Sequence, residues 1–138
     1  MKTKVEIKNL LQNAKLKNTT PRVVILETLL NIKHPETAGE IHKRLKKNKI
    51  DLVTLYRTLA SFEKNKLVKR VDLHKDAIYY ELDLDHHHHI VCTKCNKLER
   101  FENSEIEKVL NKIISKSVKF KNIKEHSLEL FGICKKCA

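Results

Sequence analysis

Residues 85–95 read DHHHHIVCTKC, and a second pair of cysteines two apart follows at Cys134 and Cys137. Two CxxC knuckles supply four thiolates, the donor set of tetrahedral zinc. A shell closed by Cys92, Cys95, Cys134 and Cys137 leaves no position for water or substrate, so a zinc there is structural. Two disulfides or a thioredoxin-like redox pair are the alternatives. The latter lacks the strand-helix setting expected around its CxxC.

The histidines are a separate matter. Side chains along a strand alternate between faces, so His86 and His88 share one side and His87 and His89 the other. That pattern can build two sites, each needing carboxylates or imidazoles from elsewhere. Glu81, His34, Glu107 and His126 are the candidates. Imidazole with carboxylate and no thiolate favours divalent iron, manganese or zinc over monovalent copper. Enzymes use the same ligands, but the chain has no HExxH, no nucleophile beside a base and no Gly-rich phosphate loop. It is not expected to be an enzyme.

Elements must position these groups. Val5, Ile7, Leu10 and Leu11 fall at helical spacing in the first segment, and Thr20-Pro21 opens a second helix with Val24, Ile25, Leu29 and Leu30 on one face. Thr37 caps a third helix, with Glu40 as its capping-box partner and Ile41 and Leu45 inward. Asp51 caps the next, burying Leu52, Leu55, Leu59 and Phe62 and presenting Thr54, Tyr56, Arg57, Thr58 and Ser61 on the opposite face. KLVKRVDL and AIYYEL then alternate as a hairpin around His74, Lys75 and Asp76. Short helices followed by a β-hairpin make a winged helix-turn-helix, whose recognition helix, starting at Asp51, enters the major groove.

From LDLD onward the pattern changes. HHIVC and KLERF are strand-like runs flanking the CTKC turn, SEIEKVLNKIIS is a periodic helix with Ile106, Val109, Leu110 and Ile113 inward, and residues 118–133 predict two more strands. The fold class is therefore α+β, an N-terminal winged helix-turn-helix domain followed by a small α/β dimerisation domain, with a hinge at Asp83–Asp85. About 55 residues hardly close a core alone, so this second unit needs the cysteine staple and a second copy.

Charge divides the chain in the same place. Residues 1–80 hold 18 Lys and Arg against 8 Asp and Glu, whereas residues 81–138 hold 11 against 9. The basic half contains no cysteine and suits a polyanion. No apolar run approaches a membrane span, and the lysine-rich opening lacks a signal-peptide core, so the expectation is a cytoplasmic protein with reduced thiols and no membrane partner.

TTPRVVIL, HPETAGEIHKRL, VTLYRTL, YYEL, HHHHIVCTKC and EHSLELFGICKKC together resemble the ferric uptake regulator family over nearly the whole chain. The resemblance implies a DNA-binding domain at 1–83 and a metal-binding dimerisation domain at 84–138. It also implies a homodimeric, metal-responsive repressor of an AT-rich palindromic operator on double-stranded DNA. It maps a regulatory divalent ion to His34, Glu81, His87 and His89, and a second ion to His86, His88, Glu107 and His126. The DNA contacts it implies are Tyr56, Arg57 and Lys17, beside Thr54 on the polar face. The family's fifth regulatory ligand, an acid, falls on Arg100, leaving Glu99 as a substitute. Iron or manganese homeostasis, with Fe2+ or Mn2+ sensed, ranks first, peroxide sensing second and Zn2+ sensing third. A metal buffer or metallochaperone, and a haem-responsive family member, are the competing readings.

Overall fold

The computed structural model describes residues 2–138, which form two compact units that divide between Leu84 and Asp85. The first opens with α1 (Lys4–Asn13), started by a full capping box between Thr3 and Glu6 that the sequence reading missed. α2 (Thr20–Leu30) is capped one residue earlier than expected, at Thr19, with Pro21 in its first turn. α3 (Ala38–Arg44) receives half of its expected box, the Thr37 hydroxyl accepting from the Glu40 amide at 3.2 Å. A single 3-10 turn, Lys46–Asn48, leads to α4 (Leu52–Lys64), where Asp51 Oδ1 accepts from the Thr54 amide at 2.7 Å.

Ile7 and Leu11 of α1, Ile25, Leu26 and Leu29 of α2, Ile41 of α3, and Leu55, Leu59 and Phe62 of α4 meet in one buried cluster. The expected inward stripe of α4 is corrected at both edges. Leu52, in the first turn, is 41% exposed, while Thr58 is buried and its hydroxyl donates to the Thr54 carbonyl at 2.8 Å. Satisfying its hydroxyl within the helix lets a threonine take the inward place at i+3 from Leu55.

The wing is a three-stranded antiparallel sheet rather than a lone hairpin. β1 (Glu36–Thr37) pairs with β3 (Tyr79–Leu82), which pairs on its other side with β2 (Val68–Val71). Arg70 donates to Glu63 at 2.7 Å and so ties β2 to α4. Helix ends here are closed without glycine: Lys15, Lys49 and Lys66 each follow a helix with positive φ, at 60°, 54° and 59°.

The second unit holds β4 (His88–Cys92), flanked by antiparallel β5 (Leu98–Phe101) and parallel β6 (Glu129–Gly132), with α5 (Ser104–Ser115) between β5 and β6 in the chain. Two expectations fail here. Only one strand forms in residues 118–133, and Val118 and Phe120 are exposed instead of pleated into a sheet. α5 is strongly two-faced, yet Val109 and Ile113 remain 56% and 61% exposed and Ile106 and Leu110 are only half-buried. Among the described residues, the buried aliphatic cluster lies wholly in the first unit, and the second unit supplies none for the apolar side of α5.

Candidate metal centres and nucleic-acid face

Two tight turns bring the cysteines together. Parallel pairing sets Cys92 of β4 opposite Gly132 of β6, which delivers the Cys134–Cys137 turn beside the Cys92–Cys95 turn. All four sulfurs lie within 4.8 Å of one another, with Cys95 Sγ and Cys134 Sγ 3.7 Å apart. Thiolates bonded at 2.3 Å to one tetrahedral zinc stand about 3.8 Å apart, so the cluster matches that ion. The backbone amides of Cys95 and Cys134 pull the Cys92 thiol down to about 6, and the Cys134 amide sits 3.3 Å from its sulfur. Crowding by the sulfurs of Cys134 and Cys95 pushes Cys137 up to about 12. Four thiolates therefore need a cation among them.

A second group forms where the α5 first turn faces β4. Three imidazole Nε2 atoms surround Glu107 Oε1: His86 at 2.7 Å and His88 at 3.1 Å within hydrogen-bond geometry, and His126 at 3.3 Å. All four ligand atoms lie within 4.8 Å of one another, and ligand atoms around an ion with bonds of 2.0–2.1 Å stand about 2.9–3.4 Å apart, so the donor set suits a divalent ion. The imidazoles of His88 and then His86 hold the Glu107 carboxyl down at about 2. It is therefore a carboxylate anion at neutral pH.

His87, just before β4, and His89 within it lie together, both buried, with ring centroids 4.8 Å apart. Across the ladder, Arg100 stands opposite His89 and Glu99 opposite Ile90. Glu99 thus lies on the face away from His89, which corrects its candidacy as the substitute ligand. In the first unit, Glu81 sits on β3 with its carboxylate 3.5 Å from Lys69 Nζ, and His34 is exposed in the bend before β1. Among the described residues of that unit, no group of three metal-ligating side chains forms.

α4 turns Tyr56 and Arg57 outward, Tyr56 being half exposed. Val53, one turn earlier, is 57% exposed. Its place on the same stripe, at i−3 and i−4 from those two residues, is a signal the sequence reading passed over. Thr54 is half-buried, its amide spent on the Asp51 cap. Lys17 is exposed beyond α1, and its carbonyl accepts from Arg22 Nη1 at 3.3 Å.

The sequence profile of the ferric uptake regulator family matches residues 13–131. The chain belongs to the ferric uptake regulator family. It is 35% identical to the ferric uptake regulation protein of Neisseria gonorrhoeae over 133 residues, 92% of this chain and 90% of that one. The ferric uptake regulator of Pseudomonas aeruginosa, solved with manganese, superposes with a TM-score of 0.79 at 32% identity, covering 94% of this chain and 98% of that one. The Helicobacter pylori regulator, in which three functional metal-binding sites are described, gives 0.76 at 26% identity over 99% of this chain and 94% of that one. As a family member the protein is a metal-responsive transcriptional regulator and not an enzyme. Ferric uptake regulators bind DNA and act as dimers. No helix among the described residues is long and apolar enough to cross a membrane.

Proposed function

We propose that the protein represses iron-homeostasis genes in the cytoplasm, binding an AT-rich palindromic operator as a homodimer when a divalent ion, Fe2+ or Mn2+, occupies a regulatory site. The carrying observation is that one chain joins a winged helix presenting Tyr56 and Arg57 to a segment entering β4 whose histidines pair alternately, His86 with His88 and His87 with His89. Residues 1–83 are the DNA-binding domain and 84–138 the dimerisation domain in this reading. His87 and His89, with Glu81 and His34 from the first domain, hold the regulatory ion. Bound there, the ion supplies a cross-link that favours arrangements in which both domains' ligands meet, and its concentration sets the population of that arrangement. Cys92, Cys95, Cys134 and Cys137 hold structural zinc. His86, His88, Glu107 and His126 hold a second ion that fixes α5 to β4.

On DNA, Arg57 reads a guanine edge, while Tyr56 and Val53 offer apolar contact to thymine methyls. Thr54 adds a hydroxyl, and Lys17 and the surrounding lysines neutralise phosphates. The exposed apolar side of α5 forms the dimer contact.

Operator binding by fluorescence anisotropy tests the reading. Zinc-containing protein is titrated anaerobically with Fe2+, Mn2+ and Zn2+ in parallel, with Arg57→Ala as the DNA-contact control. The expected result is a tight, salt-sensitive complex at a lower free concentration of Fe2+ or Mn2+ than of Zn2+, lost in Arg57→Ala. Equal affinity with and without every ion would remove the sensor assignment.

A further inference from the structure

β5 places a cation, Arg100, directly across the ladder from His89, whose ring lies beside that of His87. A guanidinium standing free there would repel a divalent ion. It does not stand free. Arg100 Nη2 is engaged by Asp85 Oδ2 and by Glu102 Oε1, the latter at 3.2 Å. The other oxygen of Asp85, Oδ1, faces His87 and lies 3.5 Å from its Nδ1. Arg100, Asp85 and Glu102 together carry one net negative charge, the same as a single carboxylate.

We infer that Asp85, held through Oδ2 by Arg100, is a further acidic ligand of the His87–His89 metal site, presenting Oδ1 to the ion. It rests on the reading of His87 and His89 as regulatory ligands. Ligand atoms in a shell of 2.0–2.1 Å bonds are about 2.9–3.4 Å apart, so Asp85 Oδ1, at 3.5 Å from His87 Nδ1, is near the spacing at which the two atoms share one ion. Arg100 is a positioning residue. By taking one oxygen it leaves a monodentate carboxylate aimed at the imidazole, and it removes rotamer freedom that a lone aspartate at an exposed chain position would lose on binding. β5 itself supplies no acid on this face within its length, because Glu99 points away.

Mn2+ binding, read from the EPR signal of the free ion, tests this in a His126→Ala background that disables the second site while zinc content and circular dichroism confirm folding. Asp85 and Arg100 are exposed, so substitutions there leave packing intact. Asp85→Asn and Arg100→Ala are each expected to weaken Mn2+ binding by about tenfold, the low end of the loss seen when supporting groups of a metal site are removed. Arg100→Lys restores part of it, and the double variant is no weaker than Asp85→Asn alone because both act through one carboxylate. Unchanged affinity in Asp85→Asn, or tighter or unchanged binding in Arg100→Ala, would overturn the assignment. His89→Ala separates the two readings. If His89→Ala loses Mn2+ while Asp85→Asn does not, only the inference fails, whereas normal binding in His89→Ala removes the regulatory site itself. Without any metal, Asp85→Asn should also shift the His87 ring nitrogen resonances and leave those of His88 in place.

Discussion

Ile113 on α5 gives the sharpest test of how two copies meet. It is 61% exposed in the protomer, in line with Val109 at 56% on the same side of the helix. Fully burying an isoleucine contributes about 1.5–3 kcal/mol, so covering what remains exposed here contributes about 1–2 kcal/mol per protomer. Ile113→Ala retains only Cβ and should lose about 1 kcal/mol of that transfer free energy. A two-fold interface uses the residue twice, which brings the loss to about 2 kcal/mol and weakens the dimer about 30-fold. Sedimentation equilibrium over a protein concentration series reads the dissociation constant directly. Val5→Ala is the control: Val5 is 67% exposed on α1, in the other unit, and should leave the dimer unaltered. A dimer constant for Ile113→Ala within about threefold of the parent would refute α5 as the interface, since burial of this side chain predicts about tenfold or more.

Two further outcomes follow from the same geometry. The Thr54 amide, then the Thr54 side chain, lowers the Asp51 carboxyl below its ordinary value of 3.8. A depressed folded-state value means that its contribution to helix stability is present above pH 3.8 and is lost as pH falls through the lowered value. Amide exchange at Thr54 should therefore accelerate in acid below that point in the parent, and the acid step should vanish in Asp51→Asn, whose cap does not titrate. For the cysteine cluster, Cys137→Ser or zinc chelation should abolish protection of β4, β5 and β6 amides and dissociate the dimer, while the helical signal of α1–α4 persists. Retained protection in the second unit without zinc would show that the sheet stands on its own.

The residue types of the site were legible because a strand alternates and a metal needs particular donors. Four histidines in series and two CxxC turns say as much before any fold is known. What the chain order could not show is set by pairing across strands. Arg100 meets Asp85 and stands opposite His89 only through the β4–β5 register, and Glu99 loses its candidacy through the same register. Residue type alone places Thr58 on the polar face of α4, whereas a hydroxyl that bonds its own helix travels inward cheaply. Periodicity correctly marked α5 as two-faced but does not say whose core the apolar side enters. β1 is two residues long, too short to show a period at all.

The lysines that close three helical segments bear on how the protein balances two demands. Glycine is the residue that reaches positive φ without steric cost, and another residue there gives up about 1 kcal/mol. Lys15, Lys49 and Lys66 accept that strain, and each sets a cation at the negative end of a helical segment. A glycine at any of these turns would make a firmer scaffold and a weaker magnet. Conformational ease has thus been traded for field strength in the unit that must find a polyanion, and an effort to stabilise the protein by restoring glycine there would slow its search for DNA.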